Sequence, residues 1–253
     1  TAKGVYWRDR TGSAHLLGLY EEERADAERL VREFPSRLTP RLFAARALAA
    51  LGRSDDALGH LQAMTGLETD HAARMSISAN PGGALYTVAS ELRVHGDAAA
   101  ARVAAQMAVD WYQGREGRLD GRYDRLQLAR AQVLPDNLDA AVATLAFGPG
   151  ADLDDPHYLA LRGWIAARQG RRGAAEEMDA RLAALAEVMP VPAGTARARI
   201  AAGLGDRERA IELLERARTH GMVRTAAGND MHCDPLYDPL RDDPRFQSIS
   251  RGD

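Results

Sequence analysis

The chain has 253 residues, of which 45% are hydrophobic and only 6% aromatic, and its formal net charge is -3. A slightly acidic net charge predicts that the protein as a whole does not bind nucleic acids or anionic membranes. The single cysteine, Cys233, excludes an internal disulfide framework.

The composition favours helices. Alanine is abundant and runs of β-branched residues are scarce, which suits helices better than strands. The sequence contains no apolar run of transmembrane length and no signal-peptide pattern. We expect a cytoplasmic location, with the periplasm as the alternative if an anchor precedes the chain.

The predicted helices come in pairs, because apolar residues recur at helical spacing on both sides of short turns. A charged helix is stopped by Pro35, and Gly-rich or charged connectors fall at residues 113–122 and 148–156. In chain order the predicted pairs are 1–20 with 21–34, 40–51 with 54–64, 84–95 with 98–112, 123–134 with 138–147, and two pairs within 161–218.

These pairs are copies of one repeat. Gly170 aligns with Gly205 and Ala175 with Ala210, a shift of 35 residues. A small residue recurs after each inter-helix turn, where two helix backbones come close, and it is called the anchor below. The anchors are Ala57, Ala101, Ala140, Ala175 and Ala210, with Glu23 in a weaker first unit. Their spacings bracket the period of about 34 residues of tetratricopeptide repeats.

Turn and cap residues precede each anchor. A glycine stands five residues earlier in four units, where a left-handed conformation can end the first helix, and the fourth unit has Pro135 there. The predicted N-caps of the second helices are Ser54, Asp97, Asn137 and Asp206. These signals predict an all-α, right-handed, tetratricopeptide-like solenoid of five to six helix pairs over residues 1–221.

The remaining residues, 222–253, differ in character. Their three Asp-Pro steps begin at Asp234, Asp238 and Asp243. Residues before proline avoid the helical conformation, so we predict a non-helical capping segment. Because a repeat array needs a terminal cap, we expect Leu240 and Phe246 to be buried on the last helix pair.

The stretch GDRERAIELLERAR, followed by CDPLYDPLRDDPRFQSI, resembles the C-terminal tetratricopeptide-like region of multidomain bacterial signalling proteins. The resemblance covers about residues 159–249. It implies an interaction or sensor module of the kind that follows a serine/threonine kinase or a winged-helix domain. It implies no catalytic residues, and the sequence lacks the Gly-rich loop, HRD and DFG motifs of a kinase.

A binding groove is predicted from the repeat register, because the first helix of each pair lines the concave surface of tetratricopeptide arrays. Counting back from each anchor, the predicted groove consists of Arg46, Tyr86, Arg93, Arg125, His157, Trp164, Arg168 and Arg199. Arginine presents a planar fork that fits carboxylates, and aromatic rings accept apolar or cationic side chains. The alternative is that arginine is simply this chain's usual polar residue and that Trp164 belongs to the core.

Together these features predict a non-enzymatic scaffold that binds another protein or peptide, acidic or C-terminal, in the groove. One alternative is a structural subunit that contacts a larger assembly through its convex face or loops. An enzyme with a helical-repeat fold is disfavoured, because no constellation of acid, base and nucleophile occurs. No cofactor is expected. His232, Cys233 and Asp234 are consecutive and lack a CxxC or HxxxH partner, so we expect a loop there and no metal site.

Overall fold

The computed structural model describes residues 10–67, 80–115, 122–146, 154–222 and 231–251. Over these ranges the chain forms α-helices and one 3-10 helix, and no strand occurs among them. The predicted all-α fold of paired helices is confirmed. In the described part of the chain, no helix is both long and apolar enough to cross a bilayer.

The helices follow the predicted order. They are α1 (residues 10–16), α2 (Tyr20–Glu33), α3 (Leu38–Ala50), α4 (Ser54–Thr65), α5 (Pro81–Val94), α6 (Ala98–Gln113), α7 (Arg122–Val133), α8 (Leu138–Ala146), α9 (Pro156–Arg168), α10 (Arg172–Leu185), α11 (Pro190–Gly203), α12 (Arg207–Thr219), the 3-10 helix (Pro235–Leu240) and α13 (Pro244–Arg251).

The helices group into two compact units. Unit 1 contains α1 to α6, and unit 2 contains α7 to α13 with the 3-10 helix. In unit 1, α3 packs against its partner α4 and against α5, the first helix of the next pair. In unit 2, α9 packs against α10 and α11 in the same way. Contacts between successive pairs bury faces that a single pair leaves open, as in helical repeats. The domain boundary at residue 221 stays a prediction.

The turns inside the pairs share one geometry. Gly52, Gly96, Gly170 and Gly205 have φ values between 72° and 96°, the left-handed region that favours glycine. The residue after each glycine donates its N–H to the carbonyl five residues earlier, at 2.8–2.9 Å. This is the Schellman arrangement, and it satisfies carbonyl groups left free where the first helix ends.

The fourth turn corrects the predicted register by one residue. Asp136, with φ of 63°, takes the left-handed position that was assigned to Pro135. Proline cannot take it, because its ring fixes φ at a negative value. The anchor five residues after Asp136 is Ala141, which is fully buried, whereas Ala140 is half-buried.

The predicted caps are partly confirmed. Asp97, Asn137 and Asp206 each accept a hydrogen bond from the backbone N–H three residues later, at 2.9, 3.4 and 3.2 Å. Ser54 is not a cap, because Arg53 occupies the boundary and Ser54 is the first residue of α4.

The prediction of a non-helical C-terminal segment is wrong. The 3-10 helix and α13 each begin at a proline that follows an aspartate. An Asp-Pro step stops a helix at the aspartate, but the fixed φ of proline suits the first turn of the next one. Leu240 and Phe246 are buried as expected, and α13 packs on α12 of the last pair.

The fourth turn yields a test of this geometry. We expect Asp136→Gly to raise the free energy of unfolding by about 1 kcal/mol, because glycine adopts the left-handed conformation without steric cost. In the matched change, Gly170→Ala, an added Cβ would meet no atom within 4 Å. We therefore expect a loss of about 1 kcal/mol from the backbone alone. Urea unfolding measures both, and an Asp136→Gly chain no more stable than the parent would contradict the assignment.

Candidate functional site

The corrected register changes which arginine of α7 belongs to the repeat pattern. The residues eleven positions before the anchors are Arg46, Ser90, Arg130, Trp164 and Arg199. Arg130 therefore enters the pattern, and Arg125, which was predicted from a count of fifteen residues before Ala140, leaves it because Leu126 lies fifteen residues before Ala141. Arg130 is buried, and Arg125 is half-buried on the same helix.

In unit 1, Arg46 is held inside an ionic cluster. Arg46 is 3% exposed and donates from Nε to Oε1 of Glu23 at 2.9 Å. Glu23, 0% exposed, stands at the anchor position where the other units have alanine. The His15 ring bridges two carboxylates, 2.6 Å from Glu23 Oε2 and 3.0 Å from Glu91 Oε1. Arg46 therefore cannot receive a peptide carboxylate without losing Glu23.

The cluster favours the protonated form of His15. Burial and the nearby Arg46 oppose a positive charge on the ring, but the Glu91 charge and the hydrogen bonds of Glu23 and Glu91 outweigh them and raise the pKa of His15 to about 8. The same contacts hold the pKa of Glu91 well below its usual value, although its burial acts in the opposite direction. With His15 protonated, the carboxylates of Glu23 and Glu91 lie beside two positive charges, those of His15 and Arg46.

The other groove residues of unit 1 are also engaged internally. Tyr86 on α5 is buried, and its carbonyl accepts a hydrogen bond from the Ser90 hydroxyl at 3.0 Å. Arg93, one turn further on, is half-buried and donates to the Cys233 carbonyl at 3.3 Å. In unit 1 these residues stabilise the chain's own fold.

In unit 2 the first helices carry a bound piece of the chain, residues 234–240, called the docked segment below. The 3-10 helix of this segment packs against α11. Trp164 on α9 donates from Nε1 to the Leu236 carbonyl at 3.2 Å, and the Tyr237 hydroxyl donates to the Thr195 carbonyl at 3.0 Å. The surface of α9 and α11 that holds the segment is called the first-helix face.

Asp234 is the charged contact of the docked segment. It is 6% exposed, and its Oδ2 lies 2.8 Å from Nε of Arg199 and 3.7 Å from Nη2 of Arg130. Burial would raise the pKa of Asp234, but Arg199 and Arg130 outweigh burial and lower it. Its Oδ1 accepts the backbone N–H of Leu236 at 3.0 Å, so both oxygens are used.

Leu236 and Tyr237 supply the apolar part of the contact. Leu236 is buried in a cluster with Trp164, Tyr158 and Leu161. Tyr237 is also buried, its ring centroid lies 5.6 Å from that of Phe246, and the Arg199 guanidinium lies 5.0 Å from the Tyr237 ring centre. The contact therefore combines a carboxylate, a leucine and a tyrosine.

Two groove residues of unit 2 remain exposed beside it. Arg168 is exposed, with its guanidinium 5.7 Å from the ring centre of Trp164. His157 is exposed at the start of α9, yet protein surrounds much of its ring. This partial desolvation, with the charges of Arg199 and Arg130, lowers the pKa of His157 to about 4. Arg168 thus carries the free positive charge, while His157 is neutral at pH 7.

In unit 2, Trp164 and Arg199 of the predicted groove contact the docked segment, and Arg168 lies beside Trp164. A single groove running through all repeats stays a prediction. Sequence reasoning missed the partners Arg130 and Asp234. The available signal for Arg130 was the negative φ of proline, which forces the turn onto Asp136. The sequence does not distinguish Asp234 from the aspartates of the other Asp-Pro steps.

The described residues hold no group of three or more His, Cys, Asp and Glu side chains placed to bind a metal. Cys233 is buried, and Asp234 faces arginines.

Comparison with known proteins identifies no family and shows only weak structural similarity. No protein-family model matches the chain, and no curated protein matches it. A solved structure described as Naa15/Naa10 bound to HypK-THB is similar over 87% of this chain, at 16% identity and a TM-score of 0.30, and the matched region is 37% of that chain's length. A TM-score this low leaves the fold assignment resting on the helix pairs themselves.

The His15 cluster predicts a pH-dependent stability. Because the folded-state pKa of about 8 exceeds the ordinary 6.5, the protonated ring stabilises the fold by about 2 kcal/mol. This contribution is complete below about pH 6.5 and is lost as the pH rises through about 8. Urea unfolding at a series of pH values should show the loss in the parent chain and in the exposed-site control His220→Gln. A His15→Gln chain with the same pH dependence as the parent would refute the assignment.

The buried carboxylate of the docked segment predicts a second effect. We expect Asp234→Asn to lower the free energy of unfolding by about 3 kcal/mol, because the buried guanidinium of Arg130 and the half-buried guanidinium of Arg199 would then face a neutral amide. Asp238→Asn is the matched control at the next Asp-Pro step, where the exposed carboxylate pairs with Arg241. Its effect should stay below about 0.5 kcal/mol. Equal effects in thermal or urea unfolding would mean that Asp234 is not a specific contact.

Proposed function

We propose that this chain is a non-enzymatic module that binds another protein through a peptide segment, and that its site is the first-helix face of α9 and α11. The supporting observation is that this face already holds seven residues of polypeptide, 234–240. Two of the contacts join a side chain to a main-chain carbonyl, Trp164 to Leu236 and Tyr237 to Thr195. The first of these uses only the main chain of the ligand and so suits any peptide of compatible shape, whereas the second requires a tyrosine in the ligand.

The charges on this face favour an acidic ligand. Arg199 and Arg130 surround a carboxylate at its centre, and Arg168 is exposed at its edge. A guanidinium binds an aspartate, a glutamate or a C-terminal carboxylate with similar geometry. Exposed ion pairs contribute little each, so the affinity should be modest and should fall as salt rises.

The cellular setting belongs to the same proposal. The resemblance of the last repeats to regions of bacterial signalling proteins favours a module that recruits a partner to a kinase or a DNA-binding domain in the cytoplasm. A role as a structural subunit, with contacts through the second helices or loops, is the competing proposal.

Selection from a displayed peptide library, with the whole chain as the target, tests the proposal. We expect the recovered peptides to be rich in Asp and Glu and to bind less tightly at high salt. Arg168→Glu should weaken them about three- to tenfold, because it reverses an exposed charge at the edge of the face. Arg172→Glu is the matched control, an exposed arginine at the start of the second helix α10.

The contrary results are distinct. A library that yields no binder would refute the peptide-binding function. Binders that respond equally to Arg168→Glu and Arg172→Glu would move the site away from the first-helix face and favour the structural-subunit alternative.

A further inference from the structure

The docked segment contacts the first-helix face as a separate ligand would. Its partners are remote in sequence, with Arg199 35 residues before Asp234, Thr195 42 residues before Tyr237, and Trp164 72 residues before Leu236. The segment belongs to none of the helix pairs, since it follows the last pair and forms a 3-10 helix of its own.

The face distinguishes between two similar acidic steps. Asp234-Pro235 places its carboxylate between Arg199 and Arg130. Asp238, in the second Asp-Pro step, is exposed, and its Oδ1 accepts a hydrogen bond from Nε of Arg241 at 2.7 Å. Electrostatic attraction alone would act on these two aspartates alike. The first-helix face therefore distinguishes them by their positions in the segment.

The first-helix face makes specific contacts with three positions of the segment. Asp234 meets the two arginines, Leu236 enters the apolar cluster beside Trp164, and Tyr237 is buried with its hydroxyl bonded to Thr195. Aspartate, leucine and tyrosine at these spacings correspond to the sequence Asp-Pro-Leu-Tyr. Replacing the aspartate would leave the arginines without a carboxylate, and replacing the leucine would leave a cavity. Replacing the tyrosine would remove the hydrogen bond to the Thr195 carbonyl.

We propose that the docked segment is a built-in competitor for the partner of this module, and that the partner presents a peptide of the type Asp-Pro-Leu-Tyr which replaces residues 234–240. The inference rests on the proposed peptide-binding function and names both its ligand class and its regulation. The partner's aspartate takes the place of Asp234 between Arg199 and Arg130.

Because the docked segment is covalently attached to the chain, a partner peptide must bind more tightly than the segment's own contacts alone would require. A tethered segment has an effective concentration of the order of millimolar, so a free peptide with the same contacts displaces it only weakly. A natural partner gains the advantage by adding contacts, and the exposed Arg168 beside Trp164 offers one to a further acidic residue. The unliganded module is thus closed to weak acidic peptides and open to a partner that matches the motif and extends beyond it.

The test uses the full chain and a fluorescent peptide of residues 234–251, with binding followed by anisotropy. We expect the peptide to bind the Asp234→Asn chain at least about tenfold more tightly than the parent chain, because the tethered competitor is weakened. The same peptide carrying Asn in place of its first aspartate should lose about tenfold in affinity on the Asp234→Asn chain. The Asp238→Asn chain is the control and should bind the peptide as weakly as the parent.

Tyr237→Phe provides a milder variant that keeps the buried ring and removes only the hydroxyl that donates to Thr195. It should give a smaller gain in peptide affinity, and a melting curve shows that it is folded. Adding Arg199→Gln to the Asp234→Asn chain should abolish the gain, since the incoming aspartate then lacks its closest cation.

Three results would overturn the inference. Equal peptide affinity for the parent, Asp234→Asn and Tyr237→Phe chains would mean that the segment competes with nothing. Concentration-dependent dimers of the Asp234→Asn chain with the parent chain would identify a second copy as the occupant. Library-selected peptides that bind the parent and Asp234→Asn chains equally would leave the peptide-binding function standing while removing the built-in competitor.

Discussion

The left-handed residue between the two helices of each pair is the constraint on which the rest of the structure depends. It ends the first helix, turns the chain and starts the second helix a fixed number of residues later. The anchor then falls where two backbones approach, and every first-helix position is set relative to it. Moving the turn by one residue, as at Asp136, changes the residue eleven positions before the anchor from Ala129 to the buried Arg130.

The arginines at this repeat position share one physical role. Arg46 pairs with the buried Glu23 in unit 1, and Arg130 and Arg199 pair with the buried Asp234 in unit 2. In both cases the carboxylate departs from the regular repeat: Glu23 stands at an anchor position where the other units have alanine, and Asp234 belongs to the docked segment. Buried ion pairs add little net stability, but loss of one partner is costly, so they specify which segment fits.

The sequence was sufficient to predict the helix pairs, because Gly52, Gly96, Gly170 and Gly205 mark their turns and small anchors follow at a fixed distance. It was insufficient for the fourth unit, where an aspartate adopts a conformation more typical of glycine. The contacts of the groove arginines could not be predicted, because Glu23, Glu91 and Asp234 reach them only through tertiary packing. The short helices after Asp234 and Asp243 were missed because the rule for residues before proline was applied to the residues after it as well.

The chain has two kinds of connector, which differ in how constant their length is and therefore in how well they tolerate insertions. Within a pair, three or four residues join the helices, as between Ala50 and Ser54, and every turn repeats the same backbone bonds. Between pairs the connection varies far more, from Glu33 to Leu38 in one case and from Thr65 to Pro81 in another. Differences in length among the repeat units of this chain therefore lie mainly between pairs. An engineer who inserts a tag or a fluorescent reporter should choose those connections, since an insertion inside a pair would shift every side chain counted from its turn.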